Sequence, residues 1–182
     1  MTTTLRSTVH AKLGWIWRDR LGASLVIDSN KLESKNDLAD GPGAGQADAV
    51  WHAEDQALAA GQSVNFELDA LEQSLFGGAI TIRLSRVKAL LIVNRNASGA
   101  GCLQVGGAAV DEWHEPFGAP GDTLKVPPGS PLLLSNCRDG WEVNLQNAVL
   151  KVAAVDGDVT FDIAVLGTVS GTGGSSSSSS GS

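Results

Sequence analysis

The densest group of potentially reactive side chains is Asp111–Glu115, where three carboxylates and one imidazole stand within five consecutive positions. Carboxylate oxygens and imidazole nitrogens bind divalent metals, so metal-assisted hydrolysis is the chemistry that this composition would suit. Neighbouring side chains on a strand or turn point apart, however, and the stretch lacks the HExxH spacing that places two histidines on one face. We therefore expect a solvated loop here, and no metal site.

His52 stands beside Glu54 and Asp55, which is a second possible group of metal ligands. A single imidazole with adjacent acids does not make a metal site, because no second ligand group completes it. The chain has only three histidines, and neither a GxSxG elbow nor a recognisable Cys–His arrangement occurs in it. We therefore predict no catalytic residue, no cofactor and no enzymatic activity. The enzymatic alternative is a metal-assisted hydrolase that uses Asp111, His114 and Glu115.

The glycine-rich stretch Asp40–Asp48 (DGPGAGQAD) resembles a phosphate-binding loop only superficially. It lacks the lysine and hydroxyl of GxxxxGK[ST] as well as the three-glycine spacing of GxGxxG, and no strong apolar strand precedes it. We interpret it as a structural loop.

Composition limits the class of protein. The chain has 182 residues, 42% of them hydrophobic, with 22 glycines and no tyrosine, which favours one β-rich domain with many turns. A net charge of -7 repels nucleic-acid phosphate. No leader peptide and no apolar run of about 20 residues is present, so we expect a soluble protein made in a cytosol that binds neither nucleic acid nor membrane. Cys102 and Cys137 could pair, although a reducing cytosol favours two free thiols.

The stretch Ala79–Asn96 is the predicted central strand. Apolar residues alternate over Ile80–Leu84 and again over Val87–Val93, and a period of two indicates a strand. The phase slips by one between these halves, which predicts a β-bulge near Ser85-Arg86. The second half also has apolar residues at intervening positions, which predicts that both faces of the strand are covered there.

Short strands with turn residues between them occupy most of the remaining chain. Asp69–Gly78 is the exception, because Asp69, Glu72 and Gly77 form the capping signals of one short helix. The strands are predicted near residues 7–20, 23–27, 49–53, 64–68, 102–105, 122–126, 131–135, 141–145, 149–153 and 159–166. This pattern predicts an all-β, antiparallel β-sandwich with jelly-roll connections.

Residues 1–169 are expected to form a single β-sandwich domain, in which the strands of residues 7–38 form an arm or subdomain. Residues 170–182 (SGTGGSSSSSSGS) are a low-complexity Gly/Ser tail that we expect to be flexible. The tail could be natural, a linker or a remnant of cloning.

Five segments occur in an order that resembles a known family. They are GPGAGQADAVW (Gly41–Trp51), LDALEQSLFGGAITIRLSRVKALLIVN (Leu68–Asn94), LQVGGAA (Leu103–Ala109), PPGSPLLL (Pro127–Leu134) and VTFDIAVLGT (Val159–Thr168). The resemblance is to small structural proteins encoded in the morphogenesis modules of tailed bacteriophages and prophages. It covers roughly residues 40–168 and carries over no catalytic residue.

This resemblance implies a virion component made in the cytoplasm of a bacterial host. The leading expectation is a capsid decoration, or cement, protein that binds the major capsid protein lattice as a homo-oligomer, either a trimer or a dimer. A location in the tail tip or a fibre is the nearest rival. The alternative function is a receptor- or carbohydrate-binding domain on a tail tip, fibre or head surface.

Tryptophans are the candidate contact residues. Five tryptophans beside four phenylalanines and no tyrosine are more than a small core needs. The candidates for subunit or shell contact are Trp15, Trp17, Trp51 and Trp113. Core packing is the competing interpretation for at least half of the tryptophans.

Overall fold

The computed structural model describes residues 4–22, 24–75 and 78–169. These residues contain thirteen β-strands and no helix, and hence no helix that could cross a bilayer. The strands are β1 (Ser7–Leu21), β2 (Ser24–Leu38), β3 (Ala49–Leu58), β4 (Ser63–Glu67), β5 (Leu71–Leu75), β6 (Gly78–Ile82), β7 (Leu84–Asn94), β8 (Cys102–Gly106), β9 (Thr123–Val126), β10 (Pro131–Ser135), β11 (Trp141–Glu142), β12 (Val149–Val155) and β13 (Val159–Val169). The Gly/Ser tail prediction concerns residues 170–182, which lie outside the described residues.

Two antiparallel sheets stack to form a β-sandwich, so the predicted all-β class is confirmed. Sheet 1 has the strand order β3-β13-β7-β10, with β11 also paired to β7, and sheet 2 has the order β4-β12-β8-β9. Apolar side chains from both sheets form one core, which includes Leu90 and Ile163 of sheet 1 and Leu103 and Leu150 of sheet 2. Burial of these side chains is the main stabilising contribution to the fold.

The predicted closing strand is confirmed as β13, which lies between β7 and β3 in sheet 1. Val159, Phe161, Ile163 and Val165 alternate along it, and all four are buried in the core. The period of two in the sequence therefore identified the buried face of this strand correctly.

The predicted central strand is broken at Arg83 into β6 and β7, and the predicted bulge is found within β7. Thr168 pairs with Arg86 and Val169 with Leu84, which leaves Ser85 as an extra residue. A second register shift leaves Lys88 unpaired in the same way. Gly167 lies opposite these bulges, where an added Cβ would collide with the carbonyl oxygen of Arg86.

The second bulge decides which residues of β7 face the core. Beyond it Leu90 and Ile92 are fully buried, whereas Leu91 is 38% exposed on the opposite face. The prediction that this half is covered on both faces is therefore wrong at Leu91. Each bulge moves the following side chains to the other face of the sheet, and the sequence revealed only the first one.

The predicted short helix at Asp69–Gly78 is wrong, because β5 and β6 form a hairpin there. Leu71 pairs with Ile82, and both side chains are buried. The capping signals of a ten-residue segment are local and weak, since so short a helix is marginal in water. Strand pairing and burial of Leu71 against Ile82 outweigh them.

The first two strands form a hairpin of 15 residues on each side, which we call the arm (Ser7–Leu38). Its two strands pair in register from Ser7 opposite Leu38 to Leu21 opposite Ser24. Among the described strands, β1 and β2 pair only with each other. The sequence predicted β1 well, but it predicted β2 only over residues 23–27, because Ser29–Asp37 carries few β-forming residues.

Candidate interaction surface

The acidic group at Asp111–Glu115 holds loops together through backbone groups. The buried carboxylate of Glu112 accepts hydrogen bonds from the amides of Gly107 and Gly121, each at 2.7 Å. Glu115 accepts from the amide of Glu142 at 2.9 Å. Across the described residues, no three potential metal-ligating side chains lie close enough to share an ion.

The second candidate group, His52 with Glu54, lies exposed on the face of sheet 1 that points away from the core. The imidazole Nδ1 is 3.9 Å from Glu54 Oε1. Nearby, Arg95 forms an ion pair with Asp162, which also accepts a hydrogen bond from the amide of Asp55 at 2.9 Å. Hydrogen bonds from Arg95 and from this amide lower the pKa of the Asp162 carboxyl. Three carboxylates therefore gather around one guanidinium at this place.

The glycine-rich loop is fastened to the body by a buried lysine. Lys88 Nζ donates to the carbonyl of Arg138 at 2.7 Å and reaches that of Gly43 at 3.4 Å. The amide of Gly45 donates to the same Arg138 carbonyl at 2.9 Å, and the amide of Gly43 donates to Gln46 Oε1. Burial lowers the pKa of the Lys88 ammonium. The loop amides thus bind the protein itself, which agrees with a structural loop.

Both cysteines are free thiols in the structure, Cys102 on β8 and Cys137 in the turn after β10. Burial raises the pKa of the Cys137 thiol, so its reactive thiolate is disfavoured.

Two of the four candidate tryptophans lie in the core, so we withdraw Trp51 and Trp113 as contact residues. Trp113 is 0% exposed and packs edge-on against Phe117 and Trp141. Trp51 is 6% exposed and packs against Phe66. Each indole N–H is satisfied internally, by the carbonyls of Glu142 and Glu72 respectively. Core packing, the competing interpretation, describes both.

The other two candidates lie exposed on the arm. Residues directly opposite each other in an antiparallel pair project to the same face, so the register of β1 and β2 assigns each side chain to one of two faces. Trp15 and Trp17 share what we call the aromatic face, where Trp17 is 72% exposed. The exposed apolar side chains of the aromatic face are Leu13, Trp15, Trp17, Val26 and Leu32.

The opposite face of the arm carries most of its positive charge, and we call it the basic face. Its cations are Lys12, Arg18, Arg20, Lys31 and Lys35, against the acids Glu33 and Asp37. The basic face also exposes Ile16, Leu25 and Ile27. The rest of the chain contains eight basic and sixteen acidic residues. The basic face of the arm therefore contrasts with the strongly acidic remainder of the protein.

A third feature is an open apolar depression on the outward face of sheet 1, which we call the outer hollow. It consists of two adjoining depressions of about 430 and 370 Å³. Val50, Leu91 and Ala164 line both of them, so the two are continuous. Val93 and Leu133 extend the apolar lining at either side. Sequence reasoning missed this surface, although the apolar residues at both phases of β7 were a signal for it.

The base of the arm already packs against one end of the outer hollow. Val9 and Leu38 are buried there against Ala89 and Leu166 of sheet 1. Ser7 to His10 form one wall of the nearer depression. Arm and hollow therefore meet at one apolar seam. Beyond the seam the arm receives no further cover from residues 4–22, 24–75 and 78–169. Such surfaces suit binding to another macromolecule more than they suit a reaction.

Comparison with family models, curated proteins and solved structures found no match to this chain in any of the three.

Proposed function

We propose that this chain is a non-enzymatic structural protein of a bacteriophage virion, most specifically a decoration or cement protein on the capsid surface. The observation that carries the proposal is the arm, whose apolar side chains stay exposed along both strands. Exposed apolar area of this extent is costly for an isolated chain and marks an interaction surface. Binding to the repeating major capsid protein lattice would cover it.

The distribution of charge supports the same role. With eight basic and sixteen acidic residues outside the arm, the body repels nucleic acid before assembly. The arm is the part with a cationic face, which can approach an acidic partner. A decoration protein has to remain soluble, avoid the packaged genome and still bind a shell, and this arrangement serves all three needs.

We further infer that the sandwich is a jelly roll. In sequence order the strands alternate between the sheets, from β3 to β4, from β7 to β8 and from β12 to β13, and the sheet orders are β3-β13-β7-β10 and β4-β12-β8-β9. Eight-stranded double-sheet jelly rolls recur in viral capsid and lectin domains. A fold does not by itself fix a function, so this inference supports the proposal less than the arm does.

The decisive experiment is co-sedimentation of the purified chain with empty capsids of the phage or prophage that encodes it. We expect binding that saturates at a fixed number of copies per capsid, and we expect mass spectrometry to find the chain in mature particles. Thermal release of the genome should occur at lower temperature in particles that lack the chain. A chain that is absent from particles and does not bind capsids would refute the proposal.

The second candidate function is receptor or carbohydrate binding on a tail tip, fibre or head surface. Its support is the open indole of Trp17, since the flat apolar face of an indole with a polar edge can stack on a sugar ring. A glycan array with wild type and Trp17→Ala tests it. A hit that depends on Trp17 would favour this function, and an array without hits would dismiss it.

A further inference from the structure

We propose that the aromatic face of the arm docks onto the outer hollow of a second copy of this chain. The contact would join copies through Leu13, Trp15, Trp17 and Leu32 on one side and Val50, Leu91 and Ala164 on the other. The inference goes beyond the proposed function, because it concerns how copies join each other and not what the assembly decorates.

Continuity with the seam at the base of the arm is the first argument. Val9 and Leu38 belong to the ribbon face that carries the aromatic side chains, as the register of β1 and β2 requires. At the base this face is buried against sheet 1, next to the outer hollow. Further along, the same face continues with larger apolar side chains, and none of the described residues of its own chain covers it. A second sheet 1 offers a surface of the same kind.

The dimensions agree with such a contact. From Leu13 to Trp17 the ribbon advances by about 14 Å, and the hollow extends along β7 from Ala89 towards Arg95 for about 20 Å. The ribbon face is about 10 Å wide and only the length that matches the hollow can dock, so one docked arm covers about 200 Å² on each partner. Two reciprocal arms would bury about 800 Å² in total, which is the area of a weak, reversible contact.

Charge at the ends of the two surfaces does not drive the contact. Beyond Trp17 the arm carries Arg18 and Arg20 on its basic face and Asp19 on its aromatic face. The end of the hollow that is distant from the seam carries Glu54 and the Arg95–Asp162 ion pair. With Asp55 hydrogen-bonded to Asp162, this end has three carboxylates and one guanidinium. The docked aromatic face brings Asp19 and no cation to this end, so the contact depends on apolar side chains and not on charge.

Self-association of the purified full chain is the first test, with no capsid present. Sedimentation equilibrium should give at least twice the chain mass of 18.8 kDa. Trp17→Ser should raise the dissociation constant about 30-fold, the effect of losing an aromatic hot spot. The matched control is Ile16→Ser. Ile16 is the neighbour of Trp17 in β1 and is 63% exposed, but it lies on the basic face. It should change the constant less than about 3-fold, within the range of near-neutral contacts.

The hollow is tested in the same way. Leu91→Asp should weaken association about as much as Trp17→Ser does, because it places a charge in the apolar contact. Leu124→Asp is the control, since Leu124 is 37% exposed against 38% for Leu91 but belongs to sheet 2. Circular dichroism and thermal unfolding establish that each variant is folded.

The pairing of surfaces is tested by placing a photo-crosslinking amino acid at position 17 in a mixture of ¹⁴N- and ¹⁵N-labelled chains. We expect crosslinks from position 17 to β3, β7 or β13 of the other isotope. A monomer at the highest soluble concentration, crosslinks confined to one chain, or crosslinks between two arms would overturn the inference. The basic face of the arm stays free for the capsid in such an assembly, so co-sedimentation is an independent measurement and the two proposals can fail separately.

Discussion

The arm and the sandwich are built from the same kind of strand but differ in what covers them. In the sandwich, alternate side chains of strands such as β12 and β13 are buried between two sheets. In the arm, described side chains on both faces are exposed over almost the whole length. The comparison teaches that a period of two identifies a strand but does not tell whether its apolar face is covered by the same chain.

Hydrogen exchange should show the largest difference between the two regions. A two-stranded ribbon is marginally stable by itself, whereas the central strands open only when the whole domain unfolds. We expect amides of β1 and β2 to exchange at least about 1,000-fold faster than those of β7 and β13 in dilute protein. Mass spectrometry of peptic fragments measures the exchange rates. Equal protection in the two regions would contradict the distinction between a marginally stable arm and a stable sandwich.

The same Trp-to-Ala substitution in each region should have very different effects on the free energy of unfolding. Trp113→Ala removes a fully buried indole and should lower the free energy of unfolding by about 3–5 kcal/mol. Trp17→Ala removes an exposed indole and should change it by less than about 0.5 kcal/mol in the monomer. Urea unfolding at low protein concentration measures both. Similar losses would mean that the arm contributes to the stability of its own chain.

Carboxylates in the two regions offer a smaller contrast. Glu112→Gln replaces a buried carboxylate that accepts two amide hydrogen bonds, and should cost about 1.5–3 kcal/mol of unfolding free energy. Glu33→Gln in the arm breaks an exposed pair with Lys31 and should cost less than about 1 kcal/mol. The prediction fails if the arm variant loses as much stability as the body variant.

The smallest effect concerns acid stability. The hydrogen bond from Arg95 lowers the folded-state pKa of Asp162, so its contribution is present above the unfolded-state pKa and disappears as the pH falls through the folded-state value. Asp162→Asn should therefore be slightly less stable than wild type at neutral pH, and the difference should vanish in strong acid. In the arm, the Thr8 hydroxyl and Lys35 lower the pKa of Asp37 likewise. Because Asp37 lies on the exposed arm, Asp37→Asn should show a still weaker pH dependence of the same sign.

Much of the sandwich could be predicted from the sequence. Strands β8, β9, β10, β12 and β13 all lie where apolar alternation and turn residues placed them, and the bulge at Ser85 followed from one slip of phase. These features are local, so the sequence pattern contains them. The hairpin at Leu71–Ile82 was missed because its strands are stabilised by pairing and burial, while the capping residues nearby indicated a helix.

The interaction surfaces could be predicted only in part. Trp15 and Trp17 were recognised because they are two positions apart on one strand and so share a face. The same argument could not separate them from Trp51 and Trp113. The burial of those two depends on partners far away in the sequence, such as Phe66 and Trp141. The outer hollow was missed because a second bulge, at Lys88, exchanged the faces of Leu90 and Leu91. Tertiary cover is set by residues far apart in the chain, and a local pattern does not record it.

The length of the arm has a consequence for geometry. Fifteen paired residues span about 50 Å, whereas a body of this size is only about 36 Å across. Copies linked through such a rod need not touch elsewhere, and the distance between their centres is set by the ribbon. If copies join through the arm as proposed, the length of the hairpin would fix the distance between the copies that it joins.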